Sequence, residues 1–234
     1  MAVRFFYGNH TMSKQIEFTR PDGQTANGYY AEPDNNPGAP GIVVIQEWWG
    51  LNDQIKRVGK QWTDAGYRVL IPDLYRGDKA LDEAEAEHKM NDLDFEDAAT
   101  QDIRGAVQYL KAGSDKVGTI GFCMGGVLSV LAAMHVPETD VAVSWYGVPP
   151  DEAGNAEDID VPLQCHFATQ DTFFPIEDAD AFEKKLEAGN VQHECYRYEA
   201  QHAFGNEDWD YYDEQASRAA WQRSMAFFET HLKA

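Results

Sequence analysis

The residues best suited to covalent chemistry lie in Thr119-Ile120-Gly121-Phe122-Cys123-Met124-Gly125-Gly126. Gly121-x-Cys123-x-Gly125 has the spacing of a nucleophile elbow, with cysteine in the position more often held by serine. Such an elbow is a sharp strand-to-helix turn that holds the nucleophile in a strained backbone conformation. Side chains two residues to either side would collide, so both positions require glycine. The turn also sets Cys123 at a helix N-terminus, where unpaired N–H groups and the helix dipole favour a thiolate. The N–H of Met124, one residue on, is placed to donate to an oxyanion.

A thiolate nucleophile needs a base, and the base needs an orienting group. Ala168-Thr169-Gln170-Asp171 leaves one strand-like run and offers Asp171. Glu199-Ala200-Gln201-His202 leaves the next and offers His202. Taken alone, Asp171 would be a turn or cap residue, His202 a loop histidine and Cys123 a packed thiol. Together they follow the order nucleophile, acid, histidine that α/β hydrolases use. The other six histidines fit less well: His10 precedes the first strand, His88 and His231 lie on helix surfaces, His135 lies past the elbow helix, and His166 and His193 fall within strands.

These residues need a sheet to carry them. Gly41–Glu47, Tyr67–Leu74, Lys116–Ile120, Val141–Gly147 and Pro162–Ala168 are near-continuous apolar runs, the mark of strands buried on both faces of a parallel sheet. His193–Tyr198 alternates as a last strand. Helices are expected from Asn52 or Asp53 to Ala65, over Ala80–Asn91, along Phe95, Ala99, Ile103, Ala106, Val107 and Leu110, after the elbow, over Glu177–Glu187, and from Trp209 to Leu232. Strands alternating with helices predict an α/β fold with a mostly parallel central sheet and helices on both faces. Lys14–Thr19 and Asn27–Glu32, joined by the turn Arg20-Pro21-Asp22-Gly23, predict an antiparallel N-terminal edge hairpin. No repeat or change of composition divides the chain, so residues 12–234 are expected as one domain, with 1–11 an extension or loose tail.

Composition excludes several classes of partner. The 234 residues carry a net charge of −21, which opposes nucleic acid and anionic membranes. The charge is consistent with a solvated acidic surface or a saline source. No stretch of about 18 apolar residues exists to span a membrane, and the N-terminus lacks the apolar core of a secretory signal. Three cysteines form no disulfide framework, and Cys165 and Cys195 fall in strand-like runs that would bury them. A cytoplasmic protein, monomeric or weakly dimeric, is expected.

Several motifs extend the elbow into a family pattern: Gln46-Glu47-Trp48-Trp49-Gly50, Pro72-Asp73-Leu74-Tyr75, Gly121-Phe122-Cys123-Met124-Gly125-Gly126, Trp145-Tyr146-Gly147 and Gln201-His202-Ala203-Phe204. From about Gly28 to Leu232 the chain resembles the dienelactone hydrolase (carboxymethylenebutenolidase-like) family of the α/β-hydrolase superfamily. The resemblance implies Cys123 as nucleophile, His202 as base and Asp171 as its orienter. It implies that Glu47 pairs with the resting thiol and takes part in its activation, and that the backbone N–H of Trp48 is the second oxyanion donor. No metal or organic cofactor is implied. A carboxylate closing an apolar strand is costly unless paired, which agrees with a functional Glu47.

The resemblance also exposes a departure. Where family members that cleave dienelactone hold the substrate carboxylate with basic residues, this chain has Asn206 after the histidine and only Arg76, in shifted register, after Tyr75. Tyr75, Arg76, Tyr146, Phe173, Phe204 and Asn206 are the expected pocket residues, with Trp48, Trp49 and Phe174 near the same loops. An aromatic pocket short of cations suits a flatter, less charged ester or lactone. The expected activity is hydrolysis of a small-molecule ester or lactone through a thioester. Two alternatives are a thiolate hydrolase acting on other electrophiles such as phosphotriesters, and a ligand-binding protein on a hydrolase scaffold. A redox thiol finds no Cys-x-x-Cys motif.

Overall fold

The computed structural model describes residues 12–34 and 36–233; the expected extension at 1–11 lies outside them. Eight strands form one sheet: β1 (Met12–Thr19), β2 (Thr25–Glu32), β3 (Gly41–Ile45), β4 (Arg68–Pro72), β5 (Val117–Phe122), β6 (Val141–Trp145), β7 (Leu163–Ala168) and β8 (His193–Tyr198). Their order is β1-β2-β4-β3-β5-β6-β7-β8. The hairpin β1–β2 pairs antiparallel with the β4 edge, and all strands from β4 to β8 run parallel. The expected antiparallel edge on a parallel sheet is therefore present. Every residue of β3 to β7 is buried, which explains their unbroken apolar runs.

The helices are α1 (Asp53–Asp64), α2 (Glu83–Asp92), α3 (Phe95–Asp97), α4 (Arg104–Lys111), α5 (Met124–His135), α6 (Ile176–Ala188) and α7 (Glu214–Leu232). The Asn52 side chain caps α1 by accepting from the Ile55 N–H at 3.0 Å, and Gly66 follows its end at φ +92°. Neighbouring residues of β5 separate the helices into two layers. Thr119 hydrogen-bonds Ser129 of α5 at 2.8 Å, whereas at Gly118 a Cβ would stand 2.8 Å from the Phe228 ring of α7. Successive strand residues face opposite sides, so α5 and α7 cover opposite faces. Trp62 of α1 packs against Trp221 and edge-on against Phe228 of α7, completing the second layer.

Two helical expectations need correction. The apolar face over 95–110 is one helical run, but Ala98–Ile103 is wound as a π-helix between α3 and α4. The wider turns accompany the burial of Asp102, whose carboxylate reaches Arg20 and Arg76. The closing helix begins at Glu214, capped by Asp213, rather than at Trp209. Trp209 lies in a turn tied by its N–H to the Asn206 carbonyl and packs on Trp49. Among the described residues no helix is long and apolar enough to cross a membrane.

Candidate active site

Strand register decides which loops meet. Ile45 of β3 pairs with Gly121 of β5, and Phe122 of β5 pairs with Trp145 of β6. The carboxyl ends of three adjacent parallel strands thus bring Gln46-Glu47-Trp48 to one side of Cys123 and Tyr146-Gly147 to the other. Ala168 pairs with Tyr198 two strands away. The Thr169 and Gln170 N–H groups donate to the Tyr198 and Ala200 carbonyls at 2.8 and 3.0 Å, which joins the loop of Asp171 to that of His202. Ligand sites outside the carboxyl ends of parallel strands are the rule for open α/β sheets.

The elbow has the expected strain. Cys123 stands at φ 56°, ψ −120°, immediately before α5. A Cβ on Gly121 would lie 1.8 Å from the Gly125 carbonyl oxygen, and one on Gly125 would lie 2.5 Å from the carbonyl oxygens of Ile45 and Gln46. The glycine spacing therefore has a direct steric cause, and Gly125 also lets α5 approach the end of β3. Gly126 has its own reason, which the elbow spacing does not contain: a Cβ there would lie 2.6 Å from the Trp145 carbonyl oxygen. The Cys123 N–H donates to that same carbonyl at 3.0 Å.

Asp171, His202 and Cys123 are brought together. His202 Nδ1 bonds Asp171 Oδ2 at 2.7 Å, while Asp171 Oδ1 accepts from the N–H groups of Phe173 and Phe174 at 2.8 and 2.9 Å. With Nδ1 occupied, Nε2 is the nitrogen left for Cys123. Burial works against an imidazolium, yet the charge of Cys123 and the hydrogen bonds that His202 donates to Asp171 and Cys123 outweigh it and push His202 up to about 10.

Glu47 lines the same cleft, but its hydrogen bonds differ from the expectation. Instead of pairing with the thiol, its carboxylate accepts from Tyr146 Oη at 3.1 Å and from Asn206 Nδ2 at 2.5 Å. Burial pushes this carboxyl above its ordinary range, opposed by the Asn206 and Tyr146 hydrogen bonds and by His202. The preceding residue anchors the loop: Gln46 Oε1 accepts from the Leu74 N–H at 3.3 Å. Trp48 also lines the cleft, and Met124 is the first residue of α5, where N–H groups lack intrahelical partners.

The pocket residues divide. Phe173 lines the cleft, half exposed, with its ring 4.8 Å from that of His202. Tyr75 stands beside the elbow, its hydroxyl 3.4 Å from Met124 Sδ. Tyr146 and Asn206 are buried, and their side chains hold Glu47. Phe204 is wholly buried, stacked on Trp145, and belongs to the core. Arg76 is turned away: at φ 56° it sends its guanidinium to Asp102, with two contacts of 2.9 and 2.8 Å. Its expected role at the pocket is thereby corrected, because Asp102 satisfies its charge. Trp49 and Trp209 complete the cleft. Nothing in the local sequence around Trp209 marks it for this place. Away from the cleft, Cys195 is half-buried and pairs in register with the buried Cys165, while Glu183, His193 and Cys195 bring donor atoms within 4.8 Å of one another. Arg197 already takes the Glu183 carboxylate at 2.6 Å.

Comparison with known proteins identifies the family and the fold. The sequence model of the dienelactone hydrolase family matches residues 26–232. Protein usf of Aquifex pyrophilus is 33% identical over 234 residues, covering 94% of this chain and all of that protein. An Aquifex aeolicus protein, provisionally named a carboxymethylenebutenolidase, is 31% identical over 95% of this chain and all of its own length. A crystal structure from Klebsiella pneumoniae, provisionally assigned as a dienelactone hydrolase, superposes with a TM-score of 0.86 at 25% identity, covering 94% of this chain and 99% of that one. A dienelactone hydrolase-like promiscuous phosphotriesterase from metagenomic libraries has the same fold, with a TM-score of 0.82 at 21% identity over 96% of this chain and 99% of that one.

Proposed function

The chain belongs to the dienelactone hydrolase family and is an ester or lactone hydrolase; from that premise we propose that it works through Cys123 and a thioester. The observation that carries this reading is the strained Cys123, at φ 56°, sharing one cleft with a His202 held by Asp171 at 2.7 Å.

In this mechanism the Cys123 thiolate attacks the substrate carbonyl carbon, and the carbonyl electron pair moves to oxygen. The N–H groups of Trp48 and Met124 receive the oxyanion. Collapse expels the alcohol or enol oxygen, which takes the proton from His202 Nε2 and leaves an acyl thioester on Cys123. Neutral His202 then removes a proton from water as the water attacks the thioester. Collapse of that second adduct returns the carboxylic acid and the thiolate–imidazolium pair. Asp171 holds the ring and balances its charge throughout. Glu47, held by Tyr146 and Asn206, lies in the same cleft and keeps an acid beside His202.

The test is turnover of p-nitrophenyl acetate with mass spectrometry of the quenched enzyme. The wild type should gain an acetyl group on Cys123, and Cys123→Ala should lose both adduct and turnover. A Cys123→Ala enzyme that keeps its rate would refute the thiol. Cys123→Ser keeps the elbow but replaces the thiol with a hydroxyl of far higher pKa. A rate loss of several orders of magnitude would support activation built for sulfur.

A further inference from the structure

The cleft directly over Cys123 encloses only about 10 Å³, room for about one water molecule. That leaves room there for little beyond the reacting carbonyl. Beside it lies a much larger chamber of about 360 Å³, within the size range of small-ligand sites. Its walls come from four separate segments: Met90 and Leu93 around the end of α2, Met124 and Val127 on the first turns of α5, Val148 after β6, and Phe174 after β7. Apart from Asn91 the lining side chains are apolar.

Two of these residues also belong to the surroundings of the nucleophile. Met124 follows Cys123 directly and touches the Tyr75 hydroxyl through its sulfur at 3.4 Å. Phe174 has its ring 5.7 Å from that of His202, and its N–H is held by Asp171. Met124 and Phe174 therefore join the chamber wall to the surroundings of Cys123 and His202.

Charge around it is settled by pairing. Arg76 is committed to Asp102, and Asn206 is committed to Glu47. Among the described residues no lysine or arginine lines either the cleft or the chamber. A substrate carboxylate entering the chamber would lose its hydration with no cation to receive it.

We propose that the chamber beside α5 binds the apolar part of an uncharged ester or lactone, so that the enzyme's substrates are neutral compounds with a sizeable hydrocarbon group. This rests on the hydrolase reading above and names its substrate class. Each methylene buried in the chamber should raise kcat/KM by up to roughly fourfold.

The experiment compares p-nitrophenyl acetate, butanoate and hexanoate with the mono-p-nitrophenyl ester of adipic acid, which presents a similar chain ending in a carboxylate. The wild type should prefer hexanoate over acetate by about tenfold or more, and hexanoate over the adipate ester by about a hundredfold. Val148→Trp, and the milder Leu131→Phe at a further wall residue on α5, should fill the chamber and bring the hexanoate-to-acetate ratio toward one. Thermal melts of both variants would show that they fold, and the ratio read from whichever folds decides the matter. A flat chain-length series, an adipate ester used as well as hexanoate, or an unchanged ratio in a folded variant overturns the chamber assignment. Failure of the hydrolase mechanism looks different: chain-length preference would persist while Cys123→Ala kept its turnover.

Discussion

Asn206 donates to the Glu47 carboxylate at 2.5 Å across 159 positions of sequence. At the position where family members that cleave dienelactone are expected to carry an arginine for the substrate, this chain uses an amide to hold its own glutamate. Tyr146 holds the other oxygen. The pair fixes an acid beside His202.

The buried Glu47 carboxyl is raised above its ordinary range, mainly by burial. The protonated form is therefore favoured by folding. Stability from this group is complete below the ordinary carboxylate range and is lost as pH rises through the raised value. Glu47→Gln should raise stability at pH 8 by about 1 kcal/mol, or about 2–4 °C in Tm, because it removes a desolvated charge. The gain should shrink toward pH 4, and turnover should fall. Melting curves of both proteins across this range check it. A lower Tm for the variant at pH 8 would mean that Tyr146 and Asn206 stabilise the charge by more than burial costs.

His202, pushed up to about 10 against the effect of burial by Cys123 and Asp171, should be charged through neutral pH. Its contribution to stability is complete below the ordinary histidine value near 6.5 and is lost as pH rises toward about 10. In Cys123→Ala the thiolate charge is gone, so the histidine should titrate at lower pH, and Asp171→Asn should also lower it. Nitrogen-15 NMR of the imidazole across pH 5–11 reads this directly. An unchanged midpoint in Cys123→Ala would remove the ion pair from the account.

The elbow glycines should tolerate no side chain. Gly121→Ala puts a methyl 1.8 Å from the Gly125 carbonyl oxygen, where backbone rather than a flexible side chain must move. A loss of more than about 4 kcal/mol is expected, the range of a severe steric clash in a core. Circular dichroism and soluble yield measure it. A folded, active Gly121→Ala enzyme would show that the turn can relax.

Asp102 is almost wholly buried between Arg20 and Arg76. Asp102→Asn should cost about 2–3 kcal/mol, below the usual penalty for breaking a buried pair, because Arg76 is half exposed and Arg20 keeps Asp22 and Asp97. Urea titration measures the loss. If the freed Arg76 can reach the chamber, the adipate ester should improve relative to hexanoate in this variant.

The glycines around Cys123 were legible from sequence because a strand-to-helix turn is a local event with a local steric cause. The parallel sheet was legible because strands buried on both faces leave unbroken apolar runs. Asp171 and His202 were legible through their order and their places after strands. Phe204 was misplaced: an aromatic two residues after the histidine can face the cleft or the core with the same local pattern, and stacking on Trp145 puts it in the core. Arg76 was misplaced because its partner Asp102 lies 26 residues away on the π-helical turn.

The sequence by itself determined the sheet, the elbow and the identity of the residues able to do chemistry, because backbone periodicity and glycine sterics act over a few residues. Tertiary structure decided the charges and the space. Which acid meets which amide, which arginine is already neutralised, and where about 360 Å³ of apolar volume opens beside Met124 depend on contacts between segments far apart in the chain. Electrostatic pairing and cavity shape are properties of those contacts, so no local pattern records them.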